Sequence, residues 1–241
     1  LGEEDPVLKI VVGNKNYSSW SLRAWLLVKK LREPFEEVVI GLDKPDTADN
    51  IKKHSPSGRV PVLVSGNLTV WDSLAIGEYL AETYPACNLW PKDVAARALA
   101  RSISAEMHSG FQALRTHCPM KMKERIQQDT PREALDDAER VRAIWTSTRE
   151  RFGGGEGFAV DGRRPQPGTS GTGPFLFGGF TVADAMYAPV VSRFRTYGLP
   201  LTGAAAAYAE AVWNDPDFQS WYEAARTETL RVPKYEATRA K

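Results

Sequence analysis

Four short runs in this chain carry residue types able to do chemistry. Tyr17-Ser18-Ser19 lies between an alternating apolar segment and one of helical character. The amino end of a helix exposes unpaired N–H groups and carries partial positive charge, so it favours an anion, a thiolate included. A seryl hydroxyl there, donating to the sulfur of a bound thiol, favours the ionised form and draws its pKa below the ordinary value of about 8.5. The same spacing also suits a plain helix cap, which spacing alone favours. Val60-Pro61 follows Gly58-Arg59 and opens a strand. A trans edge-strand proline is the common case, because only about 5–6% of such bonds are cis. A cis bond would turn the N–H and C=O of Val60 toward a peptide-like ligand. Asp72-Ser73 sits between strand and helix, with Ser73 read as the cap and the exposed N–H groups beyond it able to hold a carboxylate. Thr181-Val182-Ala183-Asp184, after Phe180, matches a capping box with Asp in place of Glu, and this run is read as serving folding without touching substrate.

The elements that must position these runs follow from periodicity. Residues 7–12 alternate, with Leu8, Ile10 and Val12 on one side, which predicts a half-buried strand. Residues 20–31 repeat at helical spacing, and 35–40 read as a second strand, giving a βαβ unit. A short helix near 46–53 comes next, then strands at 61–64 and 68–71 around Ser65-Gly66-Asn67, a hairpin signal. A helix carrying Ile76, Tyr79, Leu80 and Thr83 closes the unit at Tyr84-Pro85. The order is β-α-β-(α)-β-β-α.

After a linker at 87–92 the strand alternation stops. One long helix is expected over 94–114, on the stripe Leu99, Ile103, Met107, Phe111 and Leu114, and another over 131–152. Residues 153–173 are rich in Gly and Pro and read as a long exposed loop. Helices at 181–197, 203–213 and 216–225 precede a charged tail from 232 to 241. The domains are therefore set at 7–86 and 93–241.

Composition narrows the function classes. The 241 residues are 42% hydrophobic and 25% charged, within the range for a globular chain with a sizeable core. A net charge of +1 gives no global field toward nucleic acid or an acidic membrane surface. No apolar run is long enough for a bilayer-spanning helix, and the opening LGEEDP is unlike a secretory signal. Cys87 and Cys118 form neither a CxxC pair nor a zinc spacing, so a reducing, cytoplasmic setting without a metal is expected. His54, His108 and His117 show no metal spacing and are read as ordinary surface or core residues. Arg193 and Arg195 are read either as carboxylate anchors or as solvated charges.

The order of the runs is more specific than any one of them. Tyr17-Ser18-Ser19-Trp20-Ser21-Leu22-Arg23, Arg59-Val60-Pro61-Val62-Leu63, Asp72-Ser73-Leu74-Ala75-Ile76 and Phe180-Thr181-Val182-Ala183-Asp184 together resemble the glutathione S-transferase family. The likeness is greatest to the zeta class, which includes maleylacetoacetate isomerases, and to related bacterial serine-type members. Counting back from Arg23, Ser18 falls where zeta members carry a cysteine.

The resemblance implies an α/β N-terminal thioredoxin-like domain (βαβαββα) and an all-α C-terminal domain carrying the electrophile pocket. It implies thiol activation by Ser18 or Ser19. It also implies a glutathione site built from Tyr17, Trp20, Arg59, Val60, a cis Pro61, Asp72, Ser73 and, from Ser109-Gly110-Phe111-Gln112, Gln112. Val60 would pair with the cysteinyl backbone, and Asp72 and Ser73 would hold the γ-glutamyl end. Glutathione is the expected co-substrate, with a hydrophobic or unsaturated-acid electrophile and a homodimeric assembly. Conjugation, isomerisation of the maleylacetoacetate type, and a non-catalytic glutathione-fold binding role all follow from the same pattern. A thiol–disulfide reductase does not, because exchange needs a protein thiolate beside Trp20.

Overall fold

The computed structural model describes residues 7–153 and 173–236. The expected loop at 153–173 and the end of the charged tail thus fall largely outside the described residues.

The N-terminal unit runs β1 (Leu8–Gly13), α1 (Ser19–Lys30), β2 (Phe35–Ile40), α2 (Thr47–Lys52), β3 (Val62–Ser65), β4 (Leu68–Trp71) and α3 (Ser73–Thr83). The sheet order is β2-β1-β3-β4. Strand β1 pairs in parallel with β2, Leu8 opposite Phe35, and antiparallel with β3, Ile10 opposite Leu63. This is the expected βαβαββα thioredoxin-like arrangement. Strand β1 departs from the half-buried reading, because both its faces are covered. Leu8, Ile10 and Val12 join the main core, while Val11 packs with Ile40, Ile51 and Val62 beneath α2.

The second unit is helical: α4 (Val94–Ser109), α5 (Gln112–His117), α6 (Arg132–Phe152), α7 (Val182–Thr196), α8 (Gly203–Trp213), α9 (Pro216–Thr227) and α10 (Pro233–Glu236). The single helix expected over 94–114 is in fact two. Gly110 is extended and Phe111 takes a left-handed φ of 59°, which breaks the rod although the apolar stripe continues through it. Arg115 stabilises the break, donating to the carbonyls of Met107, Gly110 (2.9 Å) and His108 (3.5 Å) that a continuous helix would have used.

Helix α7 is the axle of the molecule. Fourteen of its fifteen residues are buried, and it packs against α1, α4 and α8. Its start is fixed by the capping box: Asp184 accepts from the N–H of Thr181 (2.7 Å), the Thr181 hydroxyl (2.8 Å) and the N–H of Leu176 (3.0 Å). Gly77 of α3 lets that helix close on α7, since a Cβ there would lie 3.1 Å from Val182. Trp145 of α6 sits among Tyr187, Phe194 and Tyr208, with ring centroids 5.0–5.9 Å away. Arg149, one turn on, donates to the carbonyls of Gly153, Gly173 and Phe175, joining the chain on either side of 154–172.

The carboxyl end of α1 is tied to α9 by a buried charge cluster. Lys30 Nζ lies 2.6 Å from Asp215 and 2.7 Å from Asp217, and Arg32 holds Asp217 in two hydrogen bonds of 2.7 and 2.9 Å. Burial alone would push Asp217 up, but Arg32 and Lys30 outweigh it and hold the carboxyl below its usual range. A carboxylate with a depressed folded-state pKa stabilises the fold above about pH 4, and that contribution is lost as pH falls. Lys30→Met leaves the Asp215 carboxylate buried without its ammonium. It is expected to lower unfolding stability by about 3 kcal/mol at pH 7. In urea titrations the gap to wild type should close as the pH drops through the carboxylate range.

Candidate functional site

Two cavities meet at the amino end of α1. The larger, about 650 Å³, is lined by Trp20, Leu42, Arg59, Val60, Pro61, Trp71, Asp72, Ser73 and His108, among others. The smaller, about 370 Å³, is lined by Tyr17, Ser18, Ser19, Trp20, Arg115, Met120, Arg193 and Tyr235, among others. Trp20 and Leu42 border both. The expected glutathione set thus divides: Trp20, Arg59, Val60, Pro61, Asp72 and Ser73 share the larger cavity, while Tyr17, Ser18 and Ser19 line the smaller. Gln112 lines neither. It is exposed, and its amide makes a 3.4 Å contact with the carbonyl of Ser109. His108, read from sequence as ordinary, occupies the cavity wall instead.

The Val60–Pro61 bond is cis. Asp72, at φ 75°, is the true cap of α3: its Oδ1 accepts from the N–H groups of Leu74 (2.8 Å) and Ala75 (3.3 Å). The cap assigned to Ser73 therefore belongs to Asp72, whose side chain reaches back over the first turn. Ser73 is left fully buried on the cavity wall, its hydroxyl without a hydrogen-bond partner among the described residues.

The serines are not caps either. Ser18 occupies the N-cap position of α1 but makes no side-chain cap bond; its Oγ donates to Ser21 Oγ at 2.7 Å. Ser21 Oγ also accepts the N–H of Gly13 at 2.9 Å. Ser19 Oγ accepts from Arg193 at 3.2 Å, which leaves its own proton to be donated. The loop before them is held from a distance. Glu228 accepts the N–H groups of Lys15 (2.8 Å) and Asn16 (3.2 Å), Trp221 donates to the carbonyl of Lys15, and Asn16 accepts from the N–H of Lys123.

Cations gather around Trp20, with Asp72 opposing them at Arg23 and Asp137 at Arg115. Arg23 stacks 4.4 Å from the Trp20 ring centroid and Arg115 4.9 Å, and the His108 ring meets Trp20 edge-on at 5.1 Å. Arg23 is wholly buried, and none of its three guanidinium nitrogens has a hydrogen-bond partner among the described residues. Burial, then the charges of Arg115 and Arg193, hold its pKa well below the usual arginine value. Burial and Arg115 bring Arg193 down to about 10. Arg193 Nε donates to the carbonyl of Cys118, but Nη1 of both Arg193 and Arg115 lacks a partner among the described residues. Cys118 is no rival nucleophile, because burial pushes its thiol up to about 11.

Sequence reasoning missed His108, Arg115 and the Val232–Tyr235 wall of the smaller cavity. Ser104 and His108, one turn apart beside the apolar stripe of α4, are a polar interruption that could have pointed to the first. Nothing local marks Arg115 or Tyr235.

The fold, a thioredoxin-like unit followed by an all-helical one, is shared with solved glutathione transferases. A crystal structure of a glutathione transferase homolog from Burkholderia with bound glutathione superposes at TM-score 0.61 and 24% identity, covering 92% of this chain and 99% of that one. A glutathione S-transferase from the Antarctic clam Laternula elliptica gives TM-score 0.67 at 21% identity, over 94% and 97%. Residues 17–83 match the family model described as glutathione S-transferase, N-terminal domain.

Among curated proteins, a probable maleylacetoacetate isomerase from Caenorhabditis elegans is 38% identical over 96 residues, 40% of this chain and 44% of that protein. Glutathione S-transferase Z1 of Arabidopsis thaliana is 37% identical over 41% of this chain and 47% of that protein. The chain therefore spans somewhat under half the length of these relatives. No helix among the described residues is long and apolar enough to cross a membrane.

An unpaired buried charge opposes folding, and replacing it with an apolar side chain of similar length is neutral or stabilising. Arg23→Met is accordingly expected to keep or raise the midpoint of urea unfolding. A loss of about 2 kcal/mol or more would show that the guanidinium is compensated in the free protein.

Proposed function

We propose that this protein is a glutathione transferase, a cytoplasmic homodimer that binds glutathione in the larger cavity and activates its thiol at Ser18 and Ser19. The observation that carries this reading is the meeting of two seryl hydroxyls with uncompensated positive charge at the head of α1. Ser73, with its unsatisfied buried hydroxyl, and the Asp72 carboxylate suit the carboxylate and ammonium of a γ-glutamyl group. The backbone of Val60 suits an extended peptide. Self-association is supported by the edge position of β4 and its exposed Leu68 and Trp71.

Ionising the thiol sends its proton to solvent and leaves a sulfur anion. Ser19 donates its free proton to that anion, and Arg193, which already donates to Ser19, strengthens the donor. Ser18 does the same if the Ser18–Ser21 bond reverses, since Ser21 retains a proton of its own while accepting from Gly13. A hydroxyl rotor makes that reversal at little expense. The arginines add a field that further favours the anion. The thiolate then attacks an electrophilic carbon held in the smaller cavity.

Loss of one hydrogen bond to a charged group removes about 1.5–3 kcal/mol. Ser19→Ala and Ser18→Ala are therefore each expected to raise the pKa of bound glutathione by about one to two units, read from thiolate ultraviolet absorbance. The conjugation rate with a chloronitrobenzene should fall in parallel. Titration of the wild type should quench Trp20 fluorescence; absence of binding at millimolar glutathione would favour a non-catalytic role instead.

A second reading, glutathione-dependent cis–trans isomerisation of an unsaturated acid, is favoured by the unpartnered Nη1 atoms of Arg115 and Arg193. Two guanidinia aimed at one cavity suit a carboxylate on the electrophile. In that case the thiolate adds to a double bond, rotation follows, and the thiolate is expelled. Arg115→Met is expected to raise KM for a maleyl-type diacid about tenfold or more, while KM for the neutral chloronitrobenzene stays within about twofold. Equal effects on both substrates would rule out a carboxylate anchor.

A further inference from the structure

Among the described residues, His108 is the one contribution of the helical domain to the lining of the larger cavity, whose other walls come from residues 20–73. Its Nε2 lies 3.1 Å from Asp72 Oδ2, and its Nδ1 is buried without a partner among the described residues. Asp72 Oδ1 is already committed to the N–H groups of Leu74 and Ala75. A ligand ammonium that reaches Asp72 must therefore share Oδ2 with the imidazole.

We propose that His108 is a specificity-determining residue that competes with the ligand's ammonium group for Asp72, so that binding of the γ-glutamyl end weakens as the imidazole gains its proton. This rests on the glutathione reading above. Neutral His108 offers Asp72 a single N–H and leaves its negative charge to attract the ammonium. Protonated His108 neutralises that charge and repels the incoming cation at close range.

Of the other charged groups around His108, the cations disfavour a protonated imidazole, against the Asp72 carboxylate at 3.1 Å, which favours it. Arg23 and Arg115 lie against the Trp20 ring that His108 meets edge-on, Arg115 also donates to the His108 carbonyl, and Arg59 shares the cavity wall. All three are guanidinium side chains. Glu106, on the same helix, is paired with Arg140 at 2.7 Å. The pair also acts as a filter on chemistry: with His108 protonated, the site favours a ligand that presents a carboxylate without an ammonium beside it.

The test must exclude ionisation of the thiol, which would itself link binding to pH. The probes are γ-glutamyl-alanyl-glycine, which is glutathione without its sulfur, and glutaryl-alanyl-glycine, which lacks the ammonium as well. Calorimetric titration of the full chain at pH 7.5 and 5.5 is expected to show binding of the first weakening about fivefold on acidification, as a unit charge met at contact distance in a wet site implies. The second should not weaken. In His108→Asn, and in His108→Gln as a check on folding, both probes should bind with little pH dependence. Equal affinity of the first probe at the two pH values in the wild type would overturn the proposal. So would a fivefold change that persists in either variant, or one shared by the probe without the ammonium. Failure of glutathione itself to bind at pH 7.5 would instead remove the reading on which the proposal rests.

Discussion

Positive charge that the fold buries around Trp20 and leaves short of hydrogen-bond partners is the constraint from which the site follows. Three guanidinia converge there from α1, α5 and α7, and five of their nitrogens have no hydrogen-bond partner among the described residues. The free protein is not left at its electrostatic minimum. A chain that holds such a cluster gives up stability in exchange for a site that receives negative charge without reorganising when that charge arrives. Trp20 makes the cluster tolerable, since its ring face attracts the guanidinia of Arg23 and Arg115 while its edge meets His108.

Holding like charges together requires a rigid frame, and the surrounding packing supplies one. Helix α1 is gripped at both ends by the second domain. Lys30 is locked into Asp215 and Asp217 at one end, and at the other Glu228 and Trp221 hold the loop through Lys15 and Asn16. Along its length α1 lies on α7, whose start the Asp184 capping box fixes. The run Tyr17-Ser18-Ser19 therefore takes its conformation from residues some two hundred positions away in sequence. Burial pushes the Asp184 carboxyl up to about 6 even with three donors on it, a sign of how dry this junction is.

What the sequence made legible was whatever local physics decides. Alternation at Leu8, Ile10 and Val12, the helical spacing after Trp20 and the hairpin at Ser65-Gly66-Asn67 gave the βαβαββα order, and Thr181–Asp184 gave the start of α7. Two local choices went astray because backbone geometry, invisible in residue types, decided them. The stripe through Phe111 continues across a break that its left-handed φ imposes. The cap of α3 fell to Asp72 because its positive φ brings the carboxylate over the first turn. The arginine cluster as such lay beyond sequence reasoning: Arg23, Arg115 and Arg193 are far apart in the chain, and for Arg193 alone the sequence left open a carboxylate anchor or a solvated charge. Their meaning depends on tertiary burial, as does that of His108.

The two cavities divide the work between the domains. The larger is almost entirely a product of the thioredoxin-like unit, whose sheet edge, cis-proline strand and α3 cap fix a polar, peptide-shaped surface. The smaller takes Arg115, Met120, Arg193, Val232 and Tyr235 from the helical unit. Tyr235 stacks on Tyr17 at 5.9 Å, so the carboxyl end of the described chain closes over the serines. Changes in the helical unit can thus alter the shape and charge of the second cavity without disturbing the first, provided Trp20 stays between them. The arginines break this independence. Arg193 belongs to α7 and serves the second cavity, yet its charge reaches Ser19 and Arg23 on α1. If the proposed function holds, a substitution that adapts the second cavity to a neutral electrophile by removing Arg193 also weakens the field that favours an ionised thiol. On the proposed function, choice of electrophile and activation of the nucleophile are coupled through one buried guanidinium.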